Sequence, residues 1–157
     1  MPDAPLCAAL LEKIAEQIER TTHLVSLVPA ELVDWRPRPG DWTTGELIWH
    51  LLDCTSGFCA VLAAAEPERL AHFAKLREMP ATIEIFRSYI EEGFALLTDE
   101  DLARRVPTVF VAQGEPVLTL LLGNLEHLIN HKHQLFVYLK QMGVAVATPD
   151  LYRFRGK

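Results

Sequence analysis

Apolar residues recur at helical spacing in four stretches of this chain. Between Pro5 and Val28, Leu6, Leu10, Ile14, Ile18 and Val25 share one side of a helix, which Pro29 stops. A second helix is predicted from about Thr44 to Ala65. Thr43 and Glu46 stand at capping-box spacing just ahead of its Leu47, Ile48 and Leu51. A third, roughly Ile83 to Leu97, puts Phe86, Tyr89, Ile90, Gly93, Phe94 and Leu97 on one side. The fourth has Pro116 at its first helical position, Lys140 in its last turn and Gly143 just past its end. At about 26 residues it would be about 39 Å long.

The connections have a different grammar. Pro29 to Asp41 holds Pro37, Pro39 and Gly40, as expected of a crossing loop with one helical turn. EPERLAHFAKLREMP is a charged linker, partly helical, and TDEDLARR is a solvated turn and helix start. RVPTVFVAQGEPV loses the helical period and reads as extended, with a turn at Gln113-Gly114. Four amphipathic helices with two long connections predict an all-α fold. The expected arrangement is a four-helix bundle with crossovers, one domain over residues 1–157.

Composition narrows the function classes. With 157 residues, half of them hydrophobic, the chain can bury a real core. Its formal charge of −6 offers no electrostatic footprint for nucleic acid. No membrane span is expected, because charged residues or histidines interrupt each apolar run, and Met-Pro-Asp-Ala-Pro is not a signal-peptide start. Cys7, Cys54 and Cys59 are odd in number and lack C-x-x-C spacing, which suits reduced thiols and a cytoplasmic location. The sequence has no H-E-x-x-H, G-x-S-x-G or phosphate loop, so protease, serine-hydrolase and nucleotide-enzyme readings have no support.

The candidate chemistry lies in histidines. His127 and His131, four residues apart on the fourth helix, stack on one face and aim at a common point. A pair at this spacing arises by chance about 0.2 times in a chain with this many histidines, so the pair alone decides little. His50 sits about two turns inside the second helix among apolar neighbours, where an unpaired imidazole is costly. Together the three would supply neutral nitrogen ligands and leave a position for water or substrate.

Three stretches carry a resemblance to a known family: WRPRPGDWTTGELIWH, HLINHKHQ followed by LKQMG, and PDLYRF. They resemble the tryptophan–proline–glycine lead-in, the H-x-x-x-H-x-x-Q helix and the tail of the DinB/YfiT-like proteins. The resemblance covers most of the chain and implies a four-helix bundle with a three-histidine metal site. The ligands it implies are His50, His127 and His131, with Gln134 in the motif's glutamine position. It also implies a homodimer paired through bundle helices. Two departures stand out: His133 occupies a position where many relatives have a small residue, and Cys54 lies one turn after His50.

Other residues keep two readings each. Gln134 either bonds a ligand imidazole or metal-bound water, or is an exposed helix glutamine. Asp53 either orients His50 or acts as a base, or is a solvated carboxylate. Gly123 either leaves room above the metal or permits close helix packing. Cys54 is a soft fourth ligand, a reactive thiol or a small core residue, the last being favoured. His133 points roughly 160° away from His131 around the helix and cannot share its metal. Glu46 is accounted for by the capping box. His23 and His72 read as partnerless surface residues; Tyr138 lines a pocket mouth or packs. Trp35, Trp42 and Trp49 read as packing anchors, with Trp42 also a candidate pocket wall.

The expected cofactor is a divalent metal ion, zinc, nickel or iron, since three imidazoles suit each. Two function classes follow. One is a metal-dependent enzyme acting on a small-molecule substrate or thiol, either a hydrolase or a low-molecular-weight-thiol S-transferase. The other is a non-catalytic bundle that binds a metal or ligand.

Overall fold

Caps and seams set where the helices begin, end and face. The structure, a computed structural model, describes residues 4–70, 72–73, 82–108 and 111–152. Four main helices form: α1 (Pro5–Ser26), α2 (Thr44–Ala65), α3 (Ile83–Phe94) and α4 (Val117–Gln141). A single turn, α5 (Thr148–Leu151), follows, and 3-10 turns form at Ala30–Leu32 and Asp101–Ala103. The fold is all-α, with the predicted limits of α2 reproduced. At its start the Thr43 hydroxyl accepts from the Glu46 amide at 3.1 Å, while the Glu46 carboxylate accepts from the Thr43 amide at 2.7 Å. Hydrogen bonding from Thr43, first from its amide and then from its side chain, holds Glu46 below the usual carboxylate range. Pro116 falls one place outside α4 as its N-cap, and Gly143 takes a φ of +81° just past its end.

α4 packs most extensively on α2, then α2 on α3, and α1 lies against both α4 and α3. The consecutive helices α1 and α2 therefore sit diagonally across the bundle, as do α3 and α4. This is why the chain needs long crossing connections. Before α4, β1 (Arg105–Val106) pairs antiparallel with β2 (Glu115–Pro116), Arg105 opposite Pro116. Gly114 turns between them at φ +78°, where a Cβ would lie 2.8 Å from the Val106 carbonyl carbon. Val109, Phe110, Ala71 and residues 74–81, which include the second half of the charged linker, lie outside the described residues.

The buried side of α1 differs from the expected one. Cys7, Leu10, Ile14, Gln17, Ile18, Thr21 and Leu24 are buried, whereas Leu6 is 46% exposed. The seam has the a/d spacing of a packed helix, but two of its positions are polar, so a search for apolar residues alone rotates the face. Asp99 caps α1 from a distance, its carboxylate accepting from the amides of Leu6 at 3.1 Å and Cys7 at 2.9 Å. Those bonds keep Asp99 below the usual carboxylate range.

The polar seam positions of α1 meet a lysine. Lys132 of α4 is 1% exposed and donates to Gln17 Oε1 at 2.7 Å and to the Leu151 carbonyl at 2.9 Å. Burial pushes its pKa down to about 8. Two further contacts fasten α5 to α1. His23 Nε2 lies 2.8 Å from Asp150 Oδ1, and Arg20 reaches the Pro149 carbonyl at 3.5 Å. His23 is thus not partnerless, because α5 brings Asp150 to it. His72 likewise pairs with Glu92 at 3.2 Å.

Two other expectations change. Trp49 does not anchor packing; it is 72% exposed on the outer side of α2. α2 is also long and apolar enough, by length and composition, to cross a membrane. Its Leu47, Leu51, Phe58 and Leu62 are spent on the bundle core.

Replacing Lys132 by alanine should lower stability by about 2–4 kcal/mol, since it removes buried methylenes and strands two acceptors. Urea denaturation of the two proteins checks this, and a change within about 0.5 kcal/mol would contradict it.

Candidate metal centre

α2 and α4 run antiparallel, and their contact builds the site. Two turns beyond His50 on α2, Gly57 faces Asn124, where a Cβ would stand 3.0 Å from the Asn124 side chain. In the other direction along the same contact, His50 meets His127 and His131. One ring nitrogen from each of the three lies within 4.8 Å of the others. His50 Nε2 is 3.0 Å from His127 Nε2. The ring centroids lie 4.4 Å apart for His50 and His131, 4.9 Å for His50 and His127, and 4.8 Å for His127 and His131.

Those spans suit a small divalent cation. A tetrahedral metal with nitrogen bonds of about 2.1 Å separates its ligands by about 3.4 Å, within reach of minor ring rotations here. Protonation states agree. Burial, then the nearby His131 and His127, lowers the His50 pKa below the ordinary imidazole value, against a small upward pull from Asp53. His127 is lowered for the same reasons, burial first and His131 second. Both rings are neutral at pH 7, the form a metal requires. Among the described residues, no thiol or carboxylate joins the three histidines. His127 is exposed and the other two are half-buried, so the cluster opens to solvent.

Around it the structure separates alternatives the sequence left open. Gln134 is engaged: its Oε1 accepts from His131 Nδ1 at 2.9 Å, which leaves Nε2 of His131 as the free nitrogen. Gln134 Nε2 donates in turn to the Tyr138 hydroxyl at 3.3 Å, and that hydroxyl donates to the Trp42 carbonyl at 3.2 Å. The Trp42 indole lies against two of the rings, 4.7 Å from His50 and 5.5 Å from His131, so it walls the site. Asp53 is exposed and makes no hydrogen bond to His50; it acts on that ring through charge alone.

Cys54 is a core residue, 4% exposed, its thiol pushed up to about 11 mainly by burial. Gly123 has nothing within 4 Å of a Cβ position, which leaves open space and excludes close helix packing as its reason. His133 is exposed and stacks on Phe136 at 6.2 Å, away from the cluster. Tyr138 both packs and lines a cavity. It is 5% exposed and meets Trp35 edge-on at 5.5 Å. The cavity, about 610 Å³, is bordered by Trp35, Arg38, Gln134 and Tyr138. It lies between the loop before α2 and the second half of α4, rather than between α2 and α4 themselves. Sequence reasoning gave Lys132 no role; its place in the repeat Leu125, Leu128, Lys132, Leu135, Leu139 was the available signal.

Comparison with known proteins agrees with this architecture. The sequence profile of the DinB superfamily matches residues 13–135, well over half of the chain. Among solved structures, the crystal structure of a DinB-like protein from Bacillus subtilis superposes with a TM-score of 0.68 at 22% identity. The match covers 93% of this chain and 96% of that one. No curated protein matches the chain.

The lowered pKa values set a pH dependence for metal binding. A ring whose folded pKa lies below 6.5 stays neutral above that value, and protons compete for it only as the pH falls further. Zinc affinity should therefore be level above about pH 7 and fall progressively below about pH 6. Competition against a chromophoric chelator across that range measures it. An affinity unchanged by acidification would contradict ligation by these rings.

Proposed function

The chain belongs to the DinB superfamily, and from that premise we propose that it is a metal-dependent enzyme, a hydrolase or a low-molecular-weight-thiol S-transferase. The observation that carries the reading is the convergence of three imidazoles at an open face, with no fourth protein ligand among the described residues. Structural sites are ordinarily closed by a fourth ligand, whereas catalytic ones keep a position free.

His50, His127 and His131 would hold a divalent ion, and zinc, nickel and iron all accept imidazole. Such an ion supplies Lewis acidity, which makes a water or thiol nucleophilic near neutral pH. The protein's own residues do the rest. Gln134 orients His131, and the Trp42 indole shields one side of the cluster from solvent. Proton transfer falls to Asp53 or to solvent, Asp53 being the carboxylate whose charge reaches His50. The three histidines do not line the cavity of about 610 Å³, but Gln134 borders it and bonds His131, and a small electrophile held there would meet Arg38 and Gln134 as polar contacts and Trp35 and Tyr138 as apolar ones. The net charge of −6 argues for a small-molecule partner over nucleic acid.

A panel of thiol-conjugation, ester and amide substrates tests the reading with metal-loaded protein, chelated protein and His50→Ala. Turnover by the loaded protein is expected to fall at least about a hundredfold on chelation and in the variant. Metal-loaded protein without chelator-sensitive turnover would instead support a non-catalytic metal- or ligand-binding bundle.

The protein is further proposed to form a homodimer. Trp49 stands 72% exposed beside an apolar groove of about 350 Å³ lined by Val25, Ile48, Leu52 and Ile83, a surface that a second copy would cover. Sedimentation at micromolar concentration is expected to give twice the chain mass, and Trp49→Ala to shift it toward the monomer. A monomeric wild-type protein would remove the proposal.

A further inference from the structure

We propose that Tyr138 is a positioning residue for the three-histidine cluster, acting through Gln134 to fix which nitrogen of His131 carries its proton. This rests on the reading of His50, His127 and His131 as metal ligands. It adds a device that sets one of them in its ligating form before any metal arrives.

The argument is one of hydrogen-bond polarity. The chain of contacts runs from His131 Nδ1 to Gln134 Oε1 at 2.9 Å, from Gln134 Nε2 to Tyr138 Oη at 3.3 Å, and from Tyr138 Oη to the Trp42 carbonyl at 3.2 Å. Only its last member has no choice. A backbone carbonyl accepts and never donates, so the Tyr138 hydroxyl must point its proton at Trp42. The phenol oxygen is then left as an acceptor facing Gln134, which can answer only with its amide NH2. That turns the amide oxygen toward His131, and an amide oxygen can only accept. His131 Nδ1 must therefore carry the hydrogen, and Nε2 keeps its lone pair free for the cluster.

The reversed chain gives up a bond at one end and turns the non-ligating nitrogen of His131 to the cluster at the other. With the amide turned over, Tyr138 would donate to Gln134 and the Trp42 carbonyl would lose its hydroxyl donor, beside a tyrosine that is 5% exposed. His131 would have to accept at Nδ1 and carry its proton on Nε2, aimed at two other imidazoles. The tyrosine is itself held in place, its ring edge-on to Trp35 at 5.5 Å. The same tryptophan that ends the relay with its carbonyl lays its indole over His50 and His131. Tyr138 thus ties the cover of the site and the tautomer of a ligand to one hydroxyl.

Nitrogen-15 NMR of metal-free protein, above the imidazole titration range, reads the tautomer directly. The wild type is expected to show His131 protonated on Nδ1. Tyr138→Phe keeps the ring and removes the hydroxyl, so Gln134 can turn over. A mixture of tautomers is expected, with zinc affinity down about tenfold or more. Adding Gln134→Glu to that variant should restore both, because a carboxylate can only accept from Nδ1. A purely structural role for Tyr138 would not be rescued in this way.

An Nε2-protonated His131 in the wild type would overturn the proposal, and needs no variant to fold. So would a Tyr138→Phe protein with unchanged tautomer and unchanged zinc affinity. Wild-type protein with the Nδ1 proton in place but no zinc binding would sink the metal reading and leave the relay standing.

Discussion

The antiparallel contact of α2 with α4 brings the three histidines together, and it depends on matching two surfaces in register. Gly57 leaves room for the Asn124 side chain against α2, and the leucines of both helices fill the seam on the core side. Because the register is fixed by that packing, His50 is delivered to His127 and His131 without any loop having to hold it. A site carried on helices inherits their rigidity, and its rings need only small rotations to meet a common ion.

Within α4, consecutive residues serve three different surroundings. His131 faces the cluster, Lys132 is buried against α1 and α5, and His133 lies in solvent over Phe136. A helix advances about 100° per residue, so three neighbours can divide the circumference among a site, a core and a surface. The buried ammonium and the imidazole beside it are satisfied by separate partners. Lys132 has Gln17 and the Leu151 carbonyl, and His131 has Gln134.

Much of this arrangement was legible in the chain itself, because it rests on local rules. The Thr43–Glu46 capping box placed the start of α2, and four-residue spacing put His127 and His131 on one face. Gln134 was legible for the same reason, one turn beyond His131. What escaped depended on contacts distant in sequence. The buried side of α1 was misplaced at Leu6 because Gln17 and Thr21 occupy seam positions, and only the approach of Lys132 makes a buried glutamine acceptable. His23 could not be given a partner without α5, a single turn too short to announce itself by periodicity. Trp49 was grouped with Trp35 and Trp42 as an anchor, although two residues from both Leu47 and Leu51 it falls on the far side of α2 from the buried stripe.

The three histidines are also unevenly spaced in a way that bears on folding. His127 and His131 are neighbours on one helix, while His50 is separated from His127 by 77 positions. A disordered chain keeps only two of these three close together, and the full set exists only once α2 has docked. Any ion held by all three therefore acts as a ligand of the native state, adding stability in proportion to the logarithm of its free concentration over its dissociation constant. Resistance to unfolding then becomes a property of the medium as well as of the polypeptide: the same sequence is harder to denature where the ion is plentiful and more fragile where it is scarce.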